Sequence, residues 1–160
     1  MSKANLNNSK MFKGLALWFI NRQAFRLKIK GNDFANNIYK WSRYVRHIES
    51  DNNPKASAGT TSAKGVYQFT DASVHTAKNR MSNMGFHVED IREISLNPHD
   101  WNDIEADCMF LANVFAQRGS DSYLKKIGDG DLEAMKEAYY KFHHTDPDEA
   151  TIKRVDRIMI

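Results

Sequence analysis

The sequence has 160 residues, 41% of them hydrophobic, and one cysteine, Cys108. It is long enough to bury a single core and has no second cysteine to staple one, which excludes the small cystine-rich class. Net charge is +3, but residues 1–50 carry ten Lys and Arg against two acids (+8), while residues 51–160 come to −5; a basic first third suits a polyanion or a solvated helix face alike.

In chain order, residues 1–9 are polar and read as a frayed end. A helix is expected over about 10–29, stopped by Gly31. Its apolar run, Gly14 to Ile20, is too short to cross a bilayer, and Asn21-Arg22-Gln23 ends it without a small-residue cleavage site. It reads as an amphipathic or core helix, with surface contact of residues 10–29 with a membrane as the weaker alternative. A second helix is expected over 33–49, capped by Asn32 or Asp33, with Phe34, Ile38, Trp41, Val45 and Ile48 as its apolar stripe. Residues 50–64 form a polar loop rich in turn formers, and 65–69 a short apolar turn or strand.

A helix follows over 71–83, with Asp71 as cap and Gly85 beyond its end. The next is expected over about 100–118, with Ile104, Cys108, Leu111 and Phe115 on one face and Gly119 as stop. Cys108 reads as a buried apolar residue there, since no His or acid pattern marks it as a nucleophile. Residues 121–127 form a short helix. Asp131 caps the next, with Leu132, Met135, Tyr139 and Phe142 inward. The last has Asp146 as cap, Pro147 at its first position and Glu149 in a capping box. Strand signals are few, so the fold class is mainly α with at most a short strand element. Residues 1–32 form a basic helical extension packed on a domain of residues 33–160.

The chemistry concentrates where the 33–49 helix meets the long loop, because a structureless loop of that length inside a domain is usually functional. Glu49 sits at that junction, four residues after Val45 and next to Ile48. Partial burial and the negative end of the helix dipole both raise a carboxyl's pKa, which favours a proton on Glu49 near neutral pH, as a general acid requires.

The run Glu49-Ser50-Asp51-Asn52-Asn53-Pro54-Lys55-Ala56, followed by Ser62-Ala63-Lys64-Gly65-Val66-Tyr67-Gln68-Phe69, resembles the soluble lytic transglycosylase family, above all its short bacteriophage versions. That family reads Glu-Ser, then Asn-Pro-x-Ala, then Gly-Ala-x-Gly-x-x-Gln, at nearly this separation; Ser62 stands where it often has Gly. The resemblance implies a lysozyme-like helical domain with a long active-site loop, acting on peptidoglycan glycan strands. Glu49 would be the sole acid/base, and Ser50 would position it or the substrate. Gly65 would let the backbone approach the sugar. Gln68 would offer donor and acceptor to the glycan. Of Tyr67 and Phe69, one would face the sugar and the other the core.

The family's third motif is Ala-Tyr-Asn-Ala-Gly or, in phage versions, Tyr-x-x-His. The stretch Glu137-Ala138-Tyr139-Tyr140-Lys141-Phe142-His143-His144 fits the first through Ala138-Tyr139 and the second through Tyr140 and His143. Helical phase favours Tyr140 for the cleft, since Tyr139 completes the apolar stripe. Adjacent His143 and His144 would point to different sides of a helix.

Water-using glycosidases need two facing carboxylates, whereas a transglycosylase of this kind needs one. Asp51 and Asp71 are the candidates for a second, which leaves a hydrolytic muramidase as the alternative; Ala58 stands where a Glu-x8-Asp lysozyme would have its Asp. No metal or other cofactor is expected, because no two of the six histidines have the i,i+4 spacing of a zinc site and there is no thiol cluster. The partners implied are peptidoglycan and other phage virion proteins. A non-catalytic virion protein on the same fold is the rival from another class, yet Glu49 and Gln68 are both in place. Nucleic acid is not expected, since no recognition motif accompanies the basic residues. The site of action implied is the bacterial wall in the periplasm, reached either with the virion or from the host cytoplasm.

Overall fold

The computed structural model describes residues 12–30 and 33–160; the polar end, the start of the first expected helix, the Gly31 stop and an Asn32 cap lie outside them. Those residues form eight α-helices and one 3-10 turn: α1 Gly14–Arg26, α2 Asp33–Ser50, α3 Asp71–Asn83, α4 Val88–Glu93, the turn Pro98–Asp100, α5 Asp103–Phe115, α6 Ser120–Gly128, α7 Leu132–Phe142 and α8 Glu149–Ile158. The fold is mainly α. In place of a strand there are only isolated bridges, Ser57 with Lys64 and Lys64 with Phe69, the second being the one that involves segment 65–69.

Helix α5 is buried all round from Ala106 to Phe115, apolar there except for Asp107 and Asn113. α1 and α3 pack against it, α2 lies on α6 and α8, and α7 packs on α6. The expected stripe of α2, Phe34 to Ile48, is entirely buried. α1 shares that core: Phe19 stacks on Phe86 and meets Phe115 edge-on. No helix among the described residues is long and apolar enough to cross a membrane.

Several caps fall elsewhere than the sequence suggests. Thr70, not Asp71, caps α3, through a reciprocal pair with Ser73. Asp148, not Asp146, caps α8 by accepting from Thr151 N at 2.8 Å, which leaves Pro147 outside the helix. α5 starts three residues later than expected, because Asn102 and Glu105 form its capping box. It ends before Gly119, which takes φ +87 and opens α6 instead. α4 escapes the sequence reading because it buries nothing and so carries no apolar stripe.

A buried ionic knot joins α2 to α5. Asp107 accepts from Arg43 Nη2 at 2.5 Å, from Arg46 Nη1 at 3.1 Å and from the Tyr67 hydroxyl at 2.6 Å. Arg46 also reaches Asp103, and its Nε donates to Asn52 at 2.8 Å. Through Asn52 the knot ties the start of the long loop to the helix that precedes it.

Where α6 crosses α2, Gly128 faces the buried ring of Phe34. A Cβ there would lie 2.5 Å from Phe34 Cδ1. Gly128→Ala is expected to destabilise the fold by about 1–3 kcal/mol through overpacking. Thermal unfolding should record a Tm lower by roughly 2–4 °C per kcal/mol in a chain of this size. Gly59→Ala, where a Cβ meets nothing within 4 Å, is the control and should leave Tm unmoved.

Candidate active site

Helix α2 stops abruptly because Asp51 and Asn52 both take left-handed φ, +54 and +61. Their N–H groups fold back onto His47 O and Arg46 O. Glu49 therefore sits in the last turn, beside Ile48 on the inward side, and its side chain is only 9% exposed. Its carboxylate meets the end of α7. The Tyr139 hydroxyl donates to Glu49 Oε1. His144 Nδ1 lies 3.1 Å from the same oxygen and 3.0 Å from the Tyr139 hydroxyl. His143 Nε2 is 3.8 Å from Oε2 and 2.8 Å from the carbonyl of Tyr67.

The two histidines do not point to different sides, as a continuing helix would have them. α7 ends at Phe142, and the N–H groups of His143 and His144 both donate to Tyr139 O, at 3.1 and 2.9 Å. That tight reversal brings both rings onto Glu49.

The electrostatics correct the expectation of a raised pKa. Burial is the largest single influence on Glu49 and pushes it up, but the hydrogen bond to His144, the charge of His143, the Tyr139 hydroxyl and the charge of His144 together hold it below the ordinary value. His144 is raised, chiefly by its bond to Glu49. His143 is lowered by burial among the rings of Tyr67, Phe69 and Phe110, so of the two histidines His144 takes up a proton the more readily. Tyr139 is pushed up by burial and by Glu49's charge, so it stays a donor.

The other expected residues build the wall of the site more than its surface. Ser50 Oγ donates to Val66 O at 2.9 Å and accepts from Asn53 N at 3.2 Å, so it ties the helix end to the apolar segment. Gly65 has φ +81, and a Cβ there would come 3.0 Å from Pro98 Cβ, so its glycine serves the turn and this packing. Tyr67 and Phe69 are both core residues, 1% and 2% exposed, so neither faces a ligand. The Tyr67 ring stacks on Phe110 at 4.4 Å. Gln68 takes φ +55, and its amide nitrogen donates to Ala56 O and Gly65 O, at 3.3 and 3.0 Å. Its carbonyl oxygen accepts no bond among the described residues.

Tyr139, not Tyr140, contacts Glu49. An inward tyrosine reaches the carboxylate because the cleft floor is the edge of the core, and Glu49 itself lies on that side. The Tyr140 hydroxyl is buried without a partner. His143, at 6% side-chain exposure, supports Glu49 from behind and is too buried to touch a substrate.

Neither candidate second carboxylate takes part in this cluster. Asp51 turns to His47, 2.5 Å away on the solvent side. Asp71 is exposed at the start of α3. Cys108 is buried, and burial pushes its thiol up, so it is no nucleophile. No cluster of three or more His, Cys, Asp or Glu among the described residues could hold a metal ion. Sequence reasoning missed His144, which no helical phase could place once the helix ended. It also missed Arg154 and Arg157, which line the groove beside Glu49. No protein-family model, curated protein sequence or solved structure matches the chain.

Proposed function

We propose that the protein is a lytic transglycosylase that cleaves the bond between N-acetylmuramic acid and N-acetylglucosamine in peptidoglycan, with Glu49 as its single acid/base. The observation that supports this reading is the meeting of three segments that are far apart in sequence. Ser50 bonds to Val66, His143 to Tyr67, and Tyr139 to Glu49 across 90 residues. These are the three segments that carry the resemblance.

In the proposed reaction, the proton shared by His144 and Glu49 passes through Glu49 to the glycosidic oxygen as the bond to C1 breaks. N-acetylglucosamine leaves with a free 4-hydroxyl. The muramyl 6-hydroxyl attacks C1, and its proton returns to Glu49. Tyr139 and His144 hold Oε1 in place, and the proton that His144 contributes reaches the carboxylate there. No water is consumed, so no second carboxylate is needed. Such an enzyme acts at the bacterial wall, in company with a phage particle or as a lysis factor.

The expected product is a glycan ending in 1,6-anhydromuramic acid. Mass spectrometry of digested peptidoglycan reads this directly, since the anhydro end is lighter than a reducing end by one water. Reducing N-acetylmuramic acid as the main product would transfer the assignment to a hydrolase.

A further inference from the structure

We propose that the groove beside Glu49 binds a carboxylate on the lactyl branch of the muramyl sugar, through Arg154 and Arg157; this rests on the peptidoglycan reading above. The groove, about 460 Å³, runs between the end of α2 and the outer face of α8. Its charged lining is His47, Glu49, Asp51, Arg154 and Arg157. Both acids already have partners: Asp51 is paired with His47, and Glu49 with Tyr139 and His144.

The two arginines have no carboxylate. Neither forms a salt bridge among the described residues, where Arg26, Arg43 and Arg46 all do. Arg154 makes one side-chain bond, Nη2 to Thr151 Oγ1 at 3.2 Å, and its Nε is buried with no partner. A buried donor left unpaired costs stability unless something occupies it. Of the acids at and within α8, Asp148 is engaged in the helix cap and Asp156 with Lys136 at 3.5 Å, and Glu149, in the first turn, forms no salt bridge with either arginine. Residues 154 and 157 are one turn apart and share a helix face. Two guanidinium forks on one wall of a groove that opens on Glu49 match the planar geometry of a carboxylate.

In a wall glycan only the muramyl unit is acidic. Its lactyl branch ends in a carboxyl that is free or is prolonged by a peptide with carboxylates of its own. Either supplies the chemistry the groove selects, and N-acetylglucosamine supplies none.

The test uses the full chain with Glu49→Gln, so that no probe is cleaved. Three probes are titrated and followed by NMR of the arginine side-chain N–H groups: a muramyl disaccharide with a free lactyl carboxylate, the same disaccharide bearing an acidic peptide, and chitobiose. The muramyl probes should bind at least about tenfold more tightly than chitobiose, the gain expected of a charge-assisted fork. The Arg154 Nε–H signal should move with them. Whichever muramyl probe binds more tightly identifies which carboxylate is held. Arg157 is exposed, so Arg157→Gln should fold and should remove most of the preference while leaving chitobiose binding unchanged. Equal binding of all three probes, no binding of either muramyl probe, or a preference that survives both Arg154→Gln and Arg157→Gln would overturn the proposal. A carboxylate preference without anhydro products would instead count against the reaction assigned above and leave the binding site standing.

Discussion

If the proposed reaction holds, turnover of wall glycan should fall by about 10²–10⁴ in Glu49→Gln, the usual contribution of a general acid–base group. The amide fills the same space and can still accept from Tyr139, so thermal unfolding should change little. A folded Glu49→Gln protein that clears cell walls at the wild-type rate would remove the central assignment. The pH profile adds a second check. The proposed reaction requires a proton on the Glu49–His144 pair, and His144 is raised above its ordinary 6.5 by its bond to Glu49. The alkaline limb should therefore lie above 6.5, where this proton is lost from the pair. In His144→Asn only Glu49 can hold the proton, and the limb should move to lower pH. An unmoved limb would show that His144 does not share it.

Asp107→Ala should be the most damaging substitution away from the site. It leaves Arg46, 3% exposed, and the half-buried Arg43 without their shared anion, and it strands the Tyr67 hydroxyl. Breaking a buried pair by removing one partner costs about 3–5 kcal/mol. Urea unfolding should show that loss in the extrapolated free energy. Activity should fall as well under conditions where the variant is still folded, because the Tyr67 carbonyl orients His143 behind Glu49. A loss under about 1 kcal/mol would mean that the knot is replaceable by solvent or neighbours.

The helices were legible in the sequence wherever burial writes a period of 3.6 residues. α2 and its stripe, the Asp131 cap of α7 and the helix following the long loop are as expected. α4 and the Pro98–Asp100 turn were not, because short elements leave too little periodicity. Yet that turn shapes the site, since His99 Nε2 lies 3.0 Å from both Ala56 O and Ser57 Oγ and so clamps the loop. The position of Glu49 at the junction was readable from the pattern. Its protonation was not, because burial and dipole argue upward while the deciding partners stand 90 and 95 residues away. The choice between Tyr139 and Tyr140 failed for a related reason. Helical phase separates core from solvent, and this carboxylate sits at the margin between them.

That separation also orders events during synthesis. Helix α2 can form as soon as its own residues have emerged, and Glu49 is then an ordinary carboxylate at a helix end. Tyr139, His143 and His144 are made nearly a hundred residues later, and the reversal after Phe142 must close before any of them reaches it. Local helices form early, and contacts of long sequence separation form last. A nascent or truncated chain ending before residue 139 therefore carries the carboxylate without the groups that share its proton.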